Sequence, residues 1–192
     1  MFMKNWKKEI FSIPNLLSMF RIGLIPVYIY LYVNAEEPAD YYVAGGILAV
    51  SCLTDMVDGF IARHFHMITT VGKLLDPLAD KFTQLALTLC LSSRYPVLQP
   101  VLVLFLIKEF FQLFAAIALF RNGKALDGAI PAGKICTTIL FISMIAMVLF
   151  PELNSNVIKI IALIDGVALS VAFLQYHLAF FGKNAKVQDI EA

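Results

Sequence analysis

The chain has 192 residues, of which 60% are hydrophobic and only 15% charged, with a mean hydropathy of +0.80. Soluble domains are nearer about 45–50% apolar, so this composition excludes an ordinary water-soluble domain and points to a polytopic membrane protein. A formal net charge of +1 gives no electrostatic case for a nucleic-acid partner.

In chain order, the first twelve residues place Phe2, Trp6, Ile10 and Phe11 among Lys4, Lys7 and Lys8. That pattern predicts a short amphipathic helix lying on anionic headgroups. Six apolar runs follow, near 14–33, 41–61, 74–93, 97–120, 132–150 and 157–180. Each approaches the roughly 20 residues a spanning helix needs. The fold expected is therefore all-α and integral to the membrane, with six transmembrane helices and one interfacial helix, in a single domain over 1–192. The first run is too long for a removable signal peptide and lacks a small-residue cleavage site. Cys52, Cys90 and Cys136 fall inside apolar runs without CxxC spacing and read as small buried hydrophobes.

Lysine and arginine sort to one side of this layout. Lys4, Lys7, Lys8, Arg63, Lys73, Arg121, Lys124, Lys183 and Lys186 share it. The opposite loops, NAEEPAD, SSRYP and PELNSN, hold Arg94 as their only cation, with Lys159 just inside the next helix. The asymmetry predicts cytoplasmic termini.

Against this background Asp55, Asp58, Asp76 and Asp80 fall within 26 residues, in TDMVDGFIARHFHMITTVGKLLDPLADK. An acid at the centre of a membrane helix costs roughly 2.5–3.5 kcal/mol, and four repel one another. Hard carboxylate oxygens gathered in this way point to Mg²⁺, Mn²⁺ or Ca²⁺. Spacings of three and four put each pair on one helix face, near the cytoplasmic end of the second span and the start of the third. Two antiparallel helices joined by residues 63–73 can then bring all four carboxylates to one point. Asn15, Ser18 and Arg21 form a polar stripe on the first span, either at the edge of a nucleotide site or as a cap and snorkelling pair. His64 and His66 read as exposed loop residues and His177 as interfacial.

The whole string reads D-x2-D-G-x2-A-R-x8-G-x3-D-x3-D, carried by Asp55, Asp58, Gly59, Ala62, Arg63, Gly72, Asp76 and Asp80. It resembles the signature of the CDP-alcohol phosphotransferases at all eight positions and every gap. IPNLLSMFRIGLIPV (13–27) and GKLLDPLADK (72–81) resemble the phosphatidylglycerophosphate synthase and cardiolipin synthase branches. The resemblance implies an enzyme that moves a phosphatidyl group from CDP-diacylglycerol to an alcohol and releases CMP. It further implies dependence on Mg²⁺ or Mn²⁺, two ions and a homodimer. The lysine and arginine asymmetry puts the aspartate cluster on the cytoplasmic side, with a bacterial cell membrane as the expected setting.

Carried over, Asp55, Asp58 and Asp76 bind metal, while Asp80 is a general base and at most a further ligand. Gly59, Ala62, Arg63 and Gly72, with Asn15 and Arg21, would border the CDP moiety. The chemistry is coherent, because a diphosphate can approach carboxylates only through divalent cations. Lys108, Arg121 and Lys134 are the candidate acceptor contacts. The glycerol-3-phosphate branch has AREF or AREI where this chain has IKEF (107–110), and GKIKT where it has GKICT (133–137). Lys134 matches, Lys108 replaces an arginine and Cys136 replaces a lysine. Lys108 could equally pair with the adjacent Glu109, and Lys134 could snorkel. Glycerol 3-phosphate is the first acceptor expected and phosphatidylglycerol the second. A metal-binding carrier or inactive scaffold is the rival, but it would place acids near the midplane in mirrored halves.

Overall fold

The computed structural model describes residues 12–65, 69, 72–122, 124–126, 131–181 and 187–189. The expected interfacial helix, apart from Ser12, lies outside the described residues, as does His66. Six helices occupy the six expected places: α1 Ile13–Val33, α2 Pro38–His64, α3 Gly72–Arg94, α4 Gln99–Arg121, α5 Pro131–Leu149 and α6 Ser155–Phe181. A 3₁₀ turn, Pro96–Leu98, leads into α4.

Their boundaries follow local chemistry. Pro14 and Pro38 sit in first turns, where a missing N–H is no loss. The Asp40 carboxylate accepts the Glu36 and Glu37 amides at 3.0 and 3.1 Å, closing the start of α2. Asn154 accepts the Asn156 amide at 2.9 Å at the start of α6. Asn34 and Asn122 end α1 and α4 with their side-chain amides on Tyr30 and Ala118 carbonyls.

Four of these helices, within 13–33, 38–61, 96–121 and 155–181, have the length and composition to cross a bilayer. The protein is a multi-pass membrane protein. The other two differ for separate reasons. The apolar part of α5 is 17 residues, Gly133–Leu149. Helix α3 carries Lys73, Asp76, Asp80, Lys81 and Arg94, because it presents half of the aspartate cluster.

The chain forms two compact units. The first comprises residues 1–90 and 148–152; the second comprises 91–147 and 153–192. In the first, α1 packs along α2 over Tyr28, Tyr32, Ala44 and Leu48, with Tyr32 edge-on to Tyr41 at 5.1 Å. In the second, α4 packs on α6, with Phe111 against Phe173, His177 and Phe180. A small antiparallel ribbon, Lys124–Leu126 with Val187–Asp189, was not expected from sequence. Cys90 and Cys136 are buried, Cys52 is half-buried, and all three are free thiols, as expected. Large side chains such as Leu53, Phe114, Phe120 and Leu163 are exposed, which suits helices solvated by lipid.

Candidate active site

The site is built by α1, α2 and α3 of the first unit, and its centre is Arg21. The guanidinium is 2% exposed. Its Nη1 donates to Asp55 and, at 2.7 Å, to Asp80; its Nη2 donates to Asp58 at 2.6 Å. Ser18, one turn earlier, holds the fourth carboxylate: its hydroxyl lies 2.5 Å from Asp76, 3.3 Å from Asp58 and 3.1 Å from the Pro14 carbonyl. A hydroxyl has one proton, so the shortest contact, to Asp76, is the one it serves.

A second anchor fixes the start of α3. The Thr69 hydroxyl accepts the Gly72 amide at 2.9 Å, satisfying one of the open N–H groups of that helix end. The Asn15 side-chain amide donates to the same hydroxyl at 3.0 Å. A Cβ on Gly72 would stand 2.6 Å from Asn15 Oδ1 and 3.0 Å from Thr69 Oγ1. A side chain at position 72 would therefore push on Asn15 and Thr69.

The polar stripe of α1 thus reads as one device. Asn15 holds the approach to α3, Ser18 holds Asp76, and Arg21 gathers Asp55, Asp58 and Asp80. The sequence reading put Asn15 and Arg21 at the margin of a nucleotide site; Arg21 lies among the carboxylates. Asp58 is buried at 4% exposure, whereas Asp55 and Asp80 are open at 47% and 56%. One guanidinium offsets one of four carboxylates, so negative charge and exposed oxygens remain. This donor set, carboxylate throughout, suits a hard divalent cation. Among the described residues no three acids converge on a single ion-sized point. Arg21 stands between them, so an ion must compete with it for the Asp55 and Asp80 oxygens.

Gly59 lies one turn beyond Asp55 and is half-buried. The backbone of Ala62 and Arg63 is in the last turn of α2, and their side chains lie outside the described residues. His64, at the end of α2, stacks on Phe60.

The acceptor candidates belong to the second unit. Lys108 is buried and bonded to Glu109 at 2.6 Å, with its ammonium 5.7 Å from the centre of the Tyr176 ring. Its charge is met locally. Arg121 and Lys134 are exposed at the end of α4 and the start of α5. Two polar groups were missed from sequence. Thr69 carries no signal beyond a loop position. Asp165 does: it is a lone acid in the apolar run of α6, fully buried, with Ser143 on α5 at 2.9 and 2.7 Å from its two oxygens.

The family model for CDP-alcohol phosphatidyltransferase matches residues 11–172. The chain belongs to the CDP-alcohol phosphatidyltransferase family. Members of this family generally depend on divalent metal ions. Among relatives, the cardiolipin synthase (CMP-forming) of Rattus norvegicus is 46% identical over 112 residues, covering 57% of this chain and 35% of that protein. The CDP-diacylglycerol–glycerol-3-phosphate 3-phosphatidyltransferase of Rickettsia bellii is 30% identical over 138 residues, covering 71% and 72%. A probable phosphatidylglycerophosphate synthase of Mycobacterium tuberculosis is 32% identical over 149 residues, covering 75% and 68%. The chain spans about a third of the length of the mammalian cardiolipin synthases it matches.

Proposed function

We propose that residues 1–192 act as one phospholipid-synthesising domain that transfers a phosphatidyl group from CDP-diacylglycerol to an alcohol and releases CMP. The observation that carries this reading is the gathering of Asp55, Asp58, Asp76 and Asp80 by Ser18 and Arg21 at one end of three helices. Asp55, Asp58 and Asp76 would hold divalent ions, Mg²⁺ or Mn²⁺ and two in number. Such ions, when bound, neutralise the donor diphosphate. Asp80, the most open of the four, takes the acceptor hydroxyl proton on a carboxylate oxygen. The acceptor oxygen bonds to the phosphatidyl phosphorus as the bond to CMP breaks. Arg21 keeps the three carboxylates it touches from repelling one another. Gly59, Ala62, Arg63, Gly72, Asn15 and Arg21 border the CDP moiety in this reading. The active site faces the cytoplasm, as do both termini, in a homodimer of a bacterial cell membrane.

The acceptor proposed first is glycerol 3-phosphate, contacted by Lys134, Lys108 and Arg121. The relatives from Rickettsia bellii and Mycobacterium tuberculosis, matched over most of both chains, support it. Phosphatidylglycerol is the second reading. The higher identity to cardiolipin synthases and the pairing of Lys108 with Glu109, which leaves less free positive charge for a dianionic phosphate, favour it.

Purified protein with CDP-diacylglycerol, Mg²⁺ and each acceptor in turn tests both. CMP with phosphatidylglycerophosphate as product supports the first reading, and CMP with cardiolipin supports the second. No CMP with any acceptor, from protein that is folded and in bilayer, overturns the enzyme.

A further inference from the structure

Two close contacts between α5 and α6 agree on one register. The Ser143 hydroxyl sits 2.9 and 2.7 Å from the two oxygens of Asp165 and 3.0 Å from the Leu140 carbonyl. Nearer the start of α5, Gly133 lies so close to Tyr176 that a Cβ there would meet the tyrosine ring and hydroxyl. From Gly133 to Ser143 is ten residues, and from Asp165 to Tyr176 is eleven. At 1.5 Å each these are about 15 and about 16.5 Å, so two antiparallel helices meet both contacts at once. We propose that Asp165 is a positioning residue: its bond to Ser143 fixes the register of α5 on α6 and so holds Lys134 level with Lys108, given the transferase reading in which both lysines contact the acceptor.

Apolar packing alone does not set this register. Along one side a groove lined by Ile135, Ile139, Leu163 and Val167 separates the two helices. Apolar side chains of this kind exchange places readily when a helix slips by one turn. A buried polar pair does not, and one polar residue in an otherwise apolar helix seam specifies register at some cost in stability. Asp165 is fully buried, ten residues from the start of α6 at Ser155, and Ser143 is the α5 side chain that meets it. A one-turn slip in either direction sets Asp165 against Ile139 or Met147 instead. A carboxyl group within the membrane then has no polar side chain facing it from α5, which is costly.

The register reaches the lysines through Tyr176. The Lys108 ammonium lies 5.7 Å from the centre of its ring, and the ring abuts Gly133, the residue before Lys134. Lys108 is buried beside Glu109, whereas Lys134 is exposed. A one-turn displacement of α5 carries Lys134 about 5.4 Å along the helix axis, away from the level of Lys108. Charge-assisted hydrogen bonds span only about 2.7–2.9 Å, so one acceptor headgroup no longer meets both cations.

The test reads register and kinetics on the full chain in nanodiscs. Spin labels at the exposed positions Thr138 and Leu174 report the α5–α6 distance. The native cysteines are replaced by alanine, and labelled chains are diluted into unlabelled ones. Asp165→Leu is expected to shift or broaden that distance by about one turn, about 5 Å. It is also expected to raise the acceptor KM at least fivefold, while the KM for CDP-diacylglycerol stays within twofold. Asp165→Asn keeps a hydrogen bond to Ser143 and is expected to match wild type in both readings. The exchange of Ser143→Asp with Asp165→Ser is expected to do the same, and it guards against misfolding of Asp165→Leu. An unchanged distance in Asp165→Leu, or equal rises in both KM values, means that Asp165 contributes only stability and overturns the proposal. A shifted distance with an unchanged acceptor KM overturns it too. Wild-type protein that releases no CMP with any acceptor removes the transferase reading, and the distance then decides alone whether Asp165 sets the register.

Discussion

Both units bury ionic side chains among apolar helices, and they settle them differently. In the second unit Lys108 meets Glu109, and Asp165 meets the Ser143 hydroxyl; Lys108 and Asp165 are buried and each finds its partner close by. In the first unit Arg21 is shared among three carboxylates, a fourth leans on Ser18, and two of the four remain about half exposed. The Ser143–Asp165 contact ties α5 to α6, and the Lys108–Glu109 pair is met within α4; an excess of exposed like charge is unstable unless something else binds. The contrast is why the proposed chemistry is assigned to the first unit, where charge is left over.

The largest expected effect comes from Asp80. If it accepts the acceptor proton, Asp80→Asn lowers CMP release by roughly 10²–10⁴ fold, with folding unchanged by circular dichroism. Activity within twofold of wild type would remove Asp80 from the role of base and weaken the contrast.

Next is Arg21. Arg21→Gln leaves the buried Asp58 without its cation and is expected to cost about 3–5 kcal/mol. Divalent ions should restore part of that loss, because they replace the missing positive charge among the same oxygens. Thermal unfolding with and without 10-fold changes in Mg²⁺ reads this directly. A variant whose melting is as insensitive to Mg²⁺ as a soluble control would break the link between Arg21 and the ion site.

Lys108 tests the other side of the comparison. Lys108→Met takes away the cation beside Glu109 and should cost about 3 kcal/mol, whereas Lys108→Met with Glu109→Gln should fall within about 1 kcal/mol of wild type. An additive double variant would mean that the two charges are not settled by each other. Acceptor KM in the double variant then reports any contact of Lys108 with substrate.

Gly72→Ala is the smallest of the set. Its methyl group would push on Asn15 and Thr69, at about 1–3 kcal/mol for overpacking. Pairing it with Asn15→Ala should recover part of the loss, and no recovery would place the strain elsewhere.

Much of the site was legible because its spacing is local. Asp55 and Asp58, and Asp76 and Asp80, share faces through helix geometry alone, and the membrane makes each acid conspicuous. The polar stripe of α1 was visible too, but not its partners. Arg21 reaches across 37 residues to Asp58 and 59 to Asp80, distances that depend on how three helices pack. Gly72 was read as room for a nucleotide, and its neighbours Asn15 and Thr69 supply a packing reason that no spacing shows. Asp165 offered the same signal as the four aspartates, an acid in an apolar run, without a second acid to draw attention. The ribbon of Lys124–Leu126 and Val187–Asp189 is three residues a side, too short for alternation to betray it. Helix places were plain from hydropathy, while α3 departs from the uniform apolar span because it serves the site.

The central claim is that the aspartates of the first unit bind divalent ions. Mn²⁺ titration followed by electron paramagnetic resonance on the full chain, wild type beside Asp55→Asn and Asp58→Asn, tests it most directly. The account predicts loss of the free Mn²⁺ signal with wild type, weakened at least tenfold by either substitution and reversed by excess Mg²⁺. Equal binding by all three proteins, or none by folded wild type, would contradict it.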